Sequence, residues 1–115
     1  GKHGDLSFVD PLWRRVSGHV TLTLHGHDHH FEALPRLAGD GAASHRGPAS
    51  FVVGTGGARL YPPGEKKRSE RTVYGQFGFL RISLEGPRYH WRFVGVDDKV
   101  LDSGSGSCQP TGIRP

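Results

Sequence analysis

The stretch from Gly75 to Val96 constrains the fold most. Residues alternate up to Leu84: Gly78, Leu80, Ile82 and Leu84 fall on one side, Arg81 and Ser83 on the other. A two-residue period is the mark of a strand with unlike faces. Glu85-Gly86-Pro87-Arg88 follows, rich in turn formers, and then Tyr89 to Val96, apolar in part on both faces. The pair predicts a β-hairpin with a four-residue loop. Tyr89, Trp91 and Phe93 are spaced by two with Arg88 and Arg92 between them. That spacing predicts a packed sheet face rather than a platform for stacked bases.

The rest of the chain reads as short elements between turns. Asp10-Pro11 predicts a helix start, with Asp as the cap and Pro at the first helical position. Leu12, Trp13 and Val16 share one side of that short helix, and Ser17-Gly18 ends it. Val20 to Leu24 alternates apolar and hydroxyl residues and predicts a strand. Leu34 to Pro48 reads as loop, Phe51-Val52-Val53 as a short apolar strand, and Gly54-Thr55-Gly56-Gly57 as a tight strand-end turn. The latter lacks the Gly-Lys-Ser/Thr ending of a nucleotide-binding P-loop. After the Asp97-Asp98 turn, Lys99 to Asp102 predicts a short third strand. Residues 103–115, opening with Ser103-Gly104-Ser105-Gly106-Ser107, read as a flexible tail. The order helix, strand, loop, strand, loop, hairpin predicts an α+β fold, mostly antiparallel with one short N-terminal helix.

Composition adds limits. The 115 residues allow one domain with a modest core. Gly and Pro together make up 26 of them, but they punctuate apolar runs rather than form a linker. No apolar run approaches the roughly 18 residues of a membrane span, so no membrane partner is expected. The net charge is +4. The basic cluster Lys66, Lys67, Arg68 and Arg71 is diluted by Glu65 and Glu70 and reads as a solvated loop, so a nucleic-acid partner is not expected. Cys108, the single cysteine, permits no internal disulfide. The chain starts Gly1-Lys2-His3 and contains no Met, which suggests a segment of a longer product.

Four of the eight histidines lie between His25 and His30. Neutral imidazole is a ready ligand for zinc, iron and related metals. In extended backbone His25, His27 and His29 point to one side, and Gly26 permits a tight turn at the strand end. Three histidines suit a mononuclear centre with an open position. Spacing does not choose between one metal and two. The His-x-His-x-Asp-His pattern of metallo-β-lactamase-like hydrolases fails here. Aligned on His25, His27 and His30, it demands Asp where His29 stands.

Gly26-His27-Asp28-His29 resembles the Gly-His-x-His block of calcineurin-like metallophosphoesterases, the superfamily that includes purple acid phosphatases. The resemblance extends in order along the chain, closest to bacterial members. Leu24 to Glu32 is similar to the family's strand leading into Gly-His-Asp-His. Phe51 to Gly57 is similar to the strand and Gly-Thr-Gly-Gly loop that follow. Tyr74-Gly75, Tyr89 to Val96 and Asp102 to Gly106 are similar to its C-terminal strands and tail, and Gly1 to Gly4 to the segment after an upstream metal-binding block.

The resemblance implies that residues 1–102 form the C-terminal part of an αββα sandwich. His27 would bind one metal and His29 the other, in a dinuclear site of two divalent or trivalent ions (Zn, Fe or Mn). The metals would hold the oxygens of a phosphate-ester substrate and activate hydroxide for in-line attack on phosphorus. It also implies export, to an extracellular or periplasmic location.

The family's Asp-x-His, Gly-Asp-x-x-Asp and Gly-Asn-His blocks are absent, and the chain has no Asn at all. These blocks lie upstream in the family. The expected partner is therefore a missing N-terminal part of the same domain, and the isolated chain is expected to be inactive. Two other readings compete with this one. The chain would be a small metal-binding β-domain that uses the His25–His30 cluster without catalysis, or a basic nucleic-acid-binding fragment.

Overall fold

The computed structural model describes residues 9–63 and 71–109. The Lys66-Lys67-Arg68 cluster, the Gly1-to-Gly4 segment and the tail from residue 110 lie outside the described residues. The fold is α+β: the described residues form one short helix and two sheets of mostly antiparallel strands. The helix α1 spans Asp10–Val16. Strands β1 (Leu22–His25), β3 (Ala49–Val53), β2 (Phe31–Leu34) and β4 (Thr72–Val73) form the first sheet in that spatial order. Strands β5 (Gly78–Glu85), β6 (Arg88–Gly95) and β7 (Val100–Ser107) form the second, an antiparallel meander.

The two sheets face one another through aromatic rings. Phe31 and Ala33 on β2 and Phe51 on β3 meet Tyr89, Trp91 and Phe93 on β6. Phe31 stacks on Phe93 with ring centroids 4.2 Å apart and planes within 5°. Phe51 meets Trp91 edge-on at 4.9 Å. Burial along β6 alternates strictly from Arg88 to Phe93, so the arginines and His90 stand on the outer face. The aromatic run is core, as its period predicts, and not a nucleic-acid platform. Leu80 and Ile82 of β5 pack at the margin of this core, whereas Leu84, on the same face, is exposed.

Several elements depart from expectation. Asp10 does not cap α1: it is the first helical residue, and Val9 occupies the cap without a side-chain hydrogen bond. Instead, Trp13 ties the helix down by donating from Nε1 to the Ala38 carbonyl at 2.9 Å. The β5–β6 loop has two residues, not four. Glu85 pairs with Arg88, and Gly86 takes a φ of 58°. A positive φ followed by the fixed φ of Pro87 suits a type II′ turn, which matches the twist of the flanking strands.

The Ser103-to-Ser107 run is not tail but the second half of β7. Trp91 and Tyr89 lie opposite Gly104 and Gly106, and their rings lean over these glycines. A Cβ at Gly104 would sit 2.7 Å from Trp91 Nε1. Glycine here makes room for an aromatic on the neighbouring strand. Gly104→Ala is therefore expected to destabilise the chain by about 1–3 kcal/mol through overpacking, even though Ala is the better strand residue. A urea-unfolding midpoint equal to that of the unsubstituted chain would remove this account of the glycine.

The strand is also tied in beyond its end. Cys108 donates its N–H to the Pro87 carbonyl at 2.7 Å and packs at the core margin. Gln109 donates its N–H to Thr21 Oγ1 at 2.8 Å. Arg71, read from sequence as part of a solvated loop, bridges the two sheets. Its carbonyl accepts the Ala33 N–H. Its guanidinium forks onto Asp102 at 2.7 and 3.1 Å and lies 4.8 Å from the Trp91 ring centre.

Candidate metal centre

Among the described residues, β1 and β3 are the one parallel pair. Both chains therefore leave the sheet at the same edge, β1 into Gly26–His30 and β3 into Gly54–Gly57. Crevices at the carboxyl ends of parallel strands are a usual place for ligand sites. The two loops are in backbone contact. Gly54 donates its N–H to the His30 carbonyl at 3.1 Å. A Cβ on Gly54 would run into the Asp28 carbonyl, so only glycine permits this approach. Thr55 is fully buried and donates to the Gly78 carbonyl at 2.9 Å. That bond pins the loop to the start of β5. The segment itself bends at Gly56, Gly57 and Ala58.

The histidines do not share one face. Asp28 donates its N–H to the Gly26 carbonyl at 2.9 Å, closing a three-residue turn about His27. His27 takes a φ of 72°. A positive φ at a non-glycine residue in such a tight turn costs on the order of 1–3 kcal/mol. It also ends the two-residue alternation that would align His25 with His27 and His29. His25 turns back along its own strand. Its Nε2 lies 3.1 Å from Thr23 Oγ1, which donates in turn to Ser50 Oγ at 2.6 Å. The Thr23 proton is committed to Ser50, so His25 Nε2–H is the donor. Partial burial of the ring lowers the His25 pKa below its ordinary value, favouring the neutral form. Among the described residues, no three His, Cys, Asp or Glu side chains are grouped so as to hold a metal ion. The mononuclear three-histidine arrangement that spacing allowed is thus not formed there.

His29 is held differently. Its Nδ1 lies 2.7 Å from the Arg59 carbonyl oxygen. A carbonyl only accepts, so Nδ1 carries the proton and Nε2 carries the lone pair. Tyr61 donates its N–H to the His29 carbonyl at 3.0 Å and stacks its ring on the imidazole at 4.7 Å. Ring plane, tautomer and backbone are therefore all set by the segment from Arg59 to Tyr61. Metal-binding histidines are characteristically oriented in this way, with the second nitrogen anchored on a carbonyl or carboxylate.

His30 and Glu32 form a buried pair that sequence spacing did not single out. Each is 3% exposed, and His30 Nε2 lies 3.1 Å from Glu32 Oε2. The His30 ring is flanked by Tyr74 at 5.3 Å and Tyr61 at 6.2 Å. Its Nδ1 is buried without a hydrogen-bond partner among the described residues. The only signal in the sequence is a Glu two places after a His at the entry to β2, where extended backbone sends both to the same side.

No protein-family model matches the chain, and neither a curated protein nor a solved structure matches it.

Proposed function

We propose that the chain is the C-terminal part of a metal-dependent phosphoesterase domain, with His27 and His29 each contributing to one ion of a dinuclear centre. The observation that carries this reading is the hydrogen bond from His29 Nδ1 to the Arg59 carbonyl. It sets the Nε2 lone pair in a fixed orientation at the carboxyl edge of the parallel strands. The strained backbone at His27 supports it further. Positive φ at a bulky residue persists where the surroundings over-determine it, and such residues cluster at functional sites.

The donor set fits a borderline metal such as zinc, iron or manganese. When bound, such a pair supplies Lewis-acid stabilisation for displacement at phosphorus. The chain's own contribution is positional. Arg59 and Tyr61 fix the His29 ring, Gly54 lets the two loops touch, and Thr55 locks the second loop to the opposite sheet. Two histidines do not define the geometry of two ions, so the remaining ligands come from elsewhere in the domain. The surface agrees with such a partner. Leu24, on the core side of the edge strand β1, is 60% exposed, and Leu12 of α1 is 61% exposed.

The competing reading, a small metal-binding domain without catalysis, draws on His25 as a third ligand. The turn of His25 back to Thr23 speaks against it. The two readings part on one experiment. Protein made from the full coding sequence is expected to bind about two metal equivalents and to hydrolyse nitrophenyl phosphate in a chelator-sensitive manner. The 115-residue chain alone is expected to do neither. Robust hydrolysis by the isolated chain, or none by the full-length protein, defeats the proposal.

A further inference from the structure

The segment that orients His29 carries a second group suited to the same site. Arg59 holds His29 through its backbone carbonyl, so its side chain is left for another task. That side chain is exposed, and the ion pairs among the described residues do not involve it. The Arg59 carbonyl oxygen lies 2.7 Å from His29 Nδ1, so the Arg59 backbone stands beside the imidazole. The long, flexible stem of an arginine reaches from there across the face of the ring.

Within Gly26–His30 and Gly54–Tyr61, Arg59 is the only Lys or Arg, and guanidinium stays charged at any working pH. Before it come Gly56, Gly57 and Ala58, all exposed, which place almost no side-chain bulk over the loop.

The geometry points to Arg59 as the residue that reads the substrate's phosphate. Its guanidinium forks onto two unesterified oxygens of a phosphate monoester dianion at the His27–His29 site, and so selects monoesters over diesters. This rests on the phosphoesterase reading above. A monoester offers three unesterified oxygens and nearly two negative charges. A diester offers two oxygens and one charge. With one unesterified oxygen held at the metal site, a monoester leaves two for the fork and a diester one, and the extra charge of the monoester strengthens the contact further.

Arg59→Ala separates the two roles, because it deletes the guanidinium and keeps the carbonyl. In protein made from the full coding sequence, Arg59→Ala is expected to raise KM for nitrophenyl phosphate about 10- to 100-fold. KM for bis-nitrophenyl phosphate should change less than about threefold, as should kcat for the monoester, with uniform binding lost rather than the chemical step. Arg59→Lys should restore part of the loss.

Two readouts do not depend on turnover. Affinity for inorganic phosphate, measured by calorimetry, should fall in parallel with the monoester KM. Bound metal and the His29 tautomer, read from imidazole nitrogen chemical shifts, should stay unchanged. Equal losses on both esters, or metal loss in Arg59→Ala, would show that the side chain merely supports the loop and would overturn the assignment. Unchanged phosphate affinity in an otherwise active protein would overturn it as well, leaving the phosphoesterase reading intact. Absence of metal-dependent hydrolysis in the unsubstituted protein removes that parent reading and the Arg59 assignment with it.

Discussion

Replacing His29 with Ala in the full-length protein is expected to remove one of two bound metal equivalents and to lower kcat/KM about 10³-fold. Metal-ion stabilisation of a transferring phosphoryl group contributes several kcal/mol, and about 4 kcal/mol corresponds to that factor. The effect should fall on metal binding and catalysis and not on folding. The Arg59 carbonyl that loses its donor belongs to an exposed residue, where water can take over the hydrogen bond. The stability cost should therefore stay near the 0.5–1.5 kcal/mol of an ordinary hydrogen bond. Metal analysis, steady-state kinetics and urea unfolding on the same preparation separate the three quantities. Full metal content with activity within threefold of the unsubstituted protein would end the assignment of His29 as a ligand. His25→Ala is the internal control. Its ring is committed to Thr23, and it should leave metal content unchanged.

The second large effect is expected at the centre of the fold. Phe93 is completely buried and lies flat on Phe31 across the gap between the sheets. Phe93→Ala removes the ring and leaves a cavity that two stiff sheets cannot close. Substitutions of this kind cost about 3–5 kcal/mol, a large part of the roughly 5–15 kcal/mol that holds a small domain together. Leu84→Ala, in the same hairpin but 70% exposed, should change stability by no more than about 0.5 kcal/mol. A urea-unfolding comparison decides the point. Similar midpoints for the two variants would mean that the sheets are not held together through this ring pair.

Particular elements show what could be read in advance. The β5–β6 hairpin was legible because its residues repeat with the two-residue period of a strand and are bounded by turn formers. The assignment of Tyr89, Trp91 and Phe93 to a packed face followed from the same period. Strand β2 was hidden. Its four residues follow a histidine cluster, and Glu32 looks like a surface residue. It is buried because His30 is buried beside it. Strand β4 has two residues, too few for any period. The second half of β7 read as linker because Ser and Gly carry no hydrophobic signal. Its pairing follows from the rings of Trp91 and Tyr89, which need glycines opposite them.

For the candidate site, residue types and spacing by themselves determined that His27 and His29 follow a strand and that a Gly-rich segment follows the Phe51-Val52-Val53 strand. That is a local property, written in contiguous residues. Only the tertiary structure decided which histidines could work together. The positive φ at His27 breaks the alternation beyond the strand, while His25 stays bonded to Thr23 of its own strand. The Arg59 carbonyl, thirty residues on, sets the tautomer of His29. Neither could be read from spacing. A backbone carbonyl has no residue-specific signature, and the parallel pairing of β1 with β3 that brings it to His29 is a contact between distant segments.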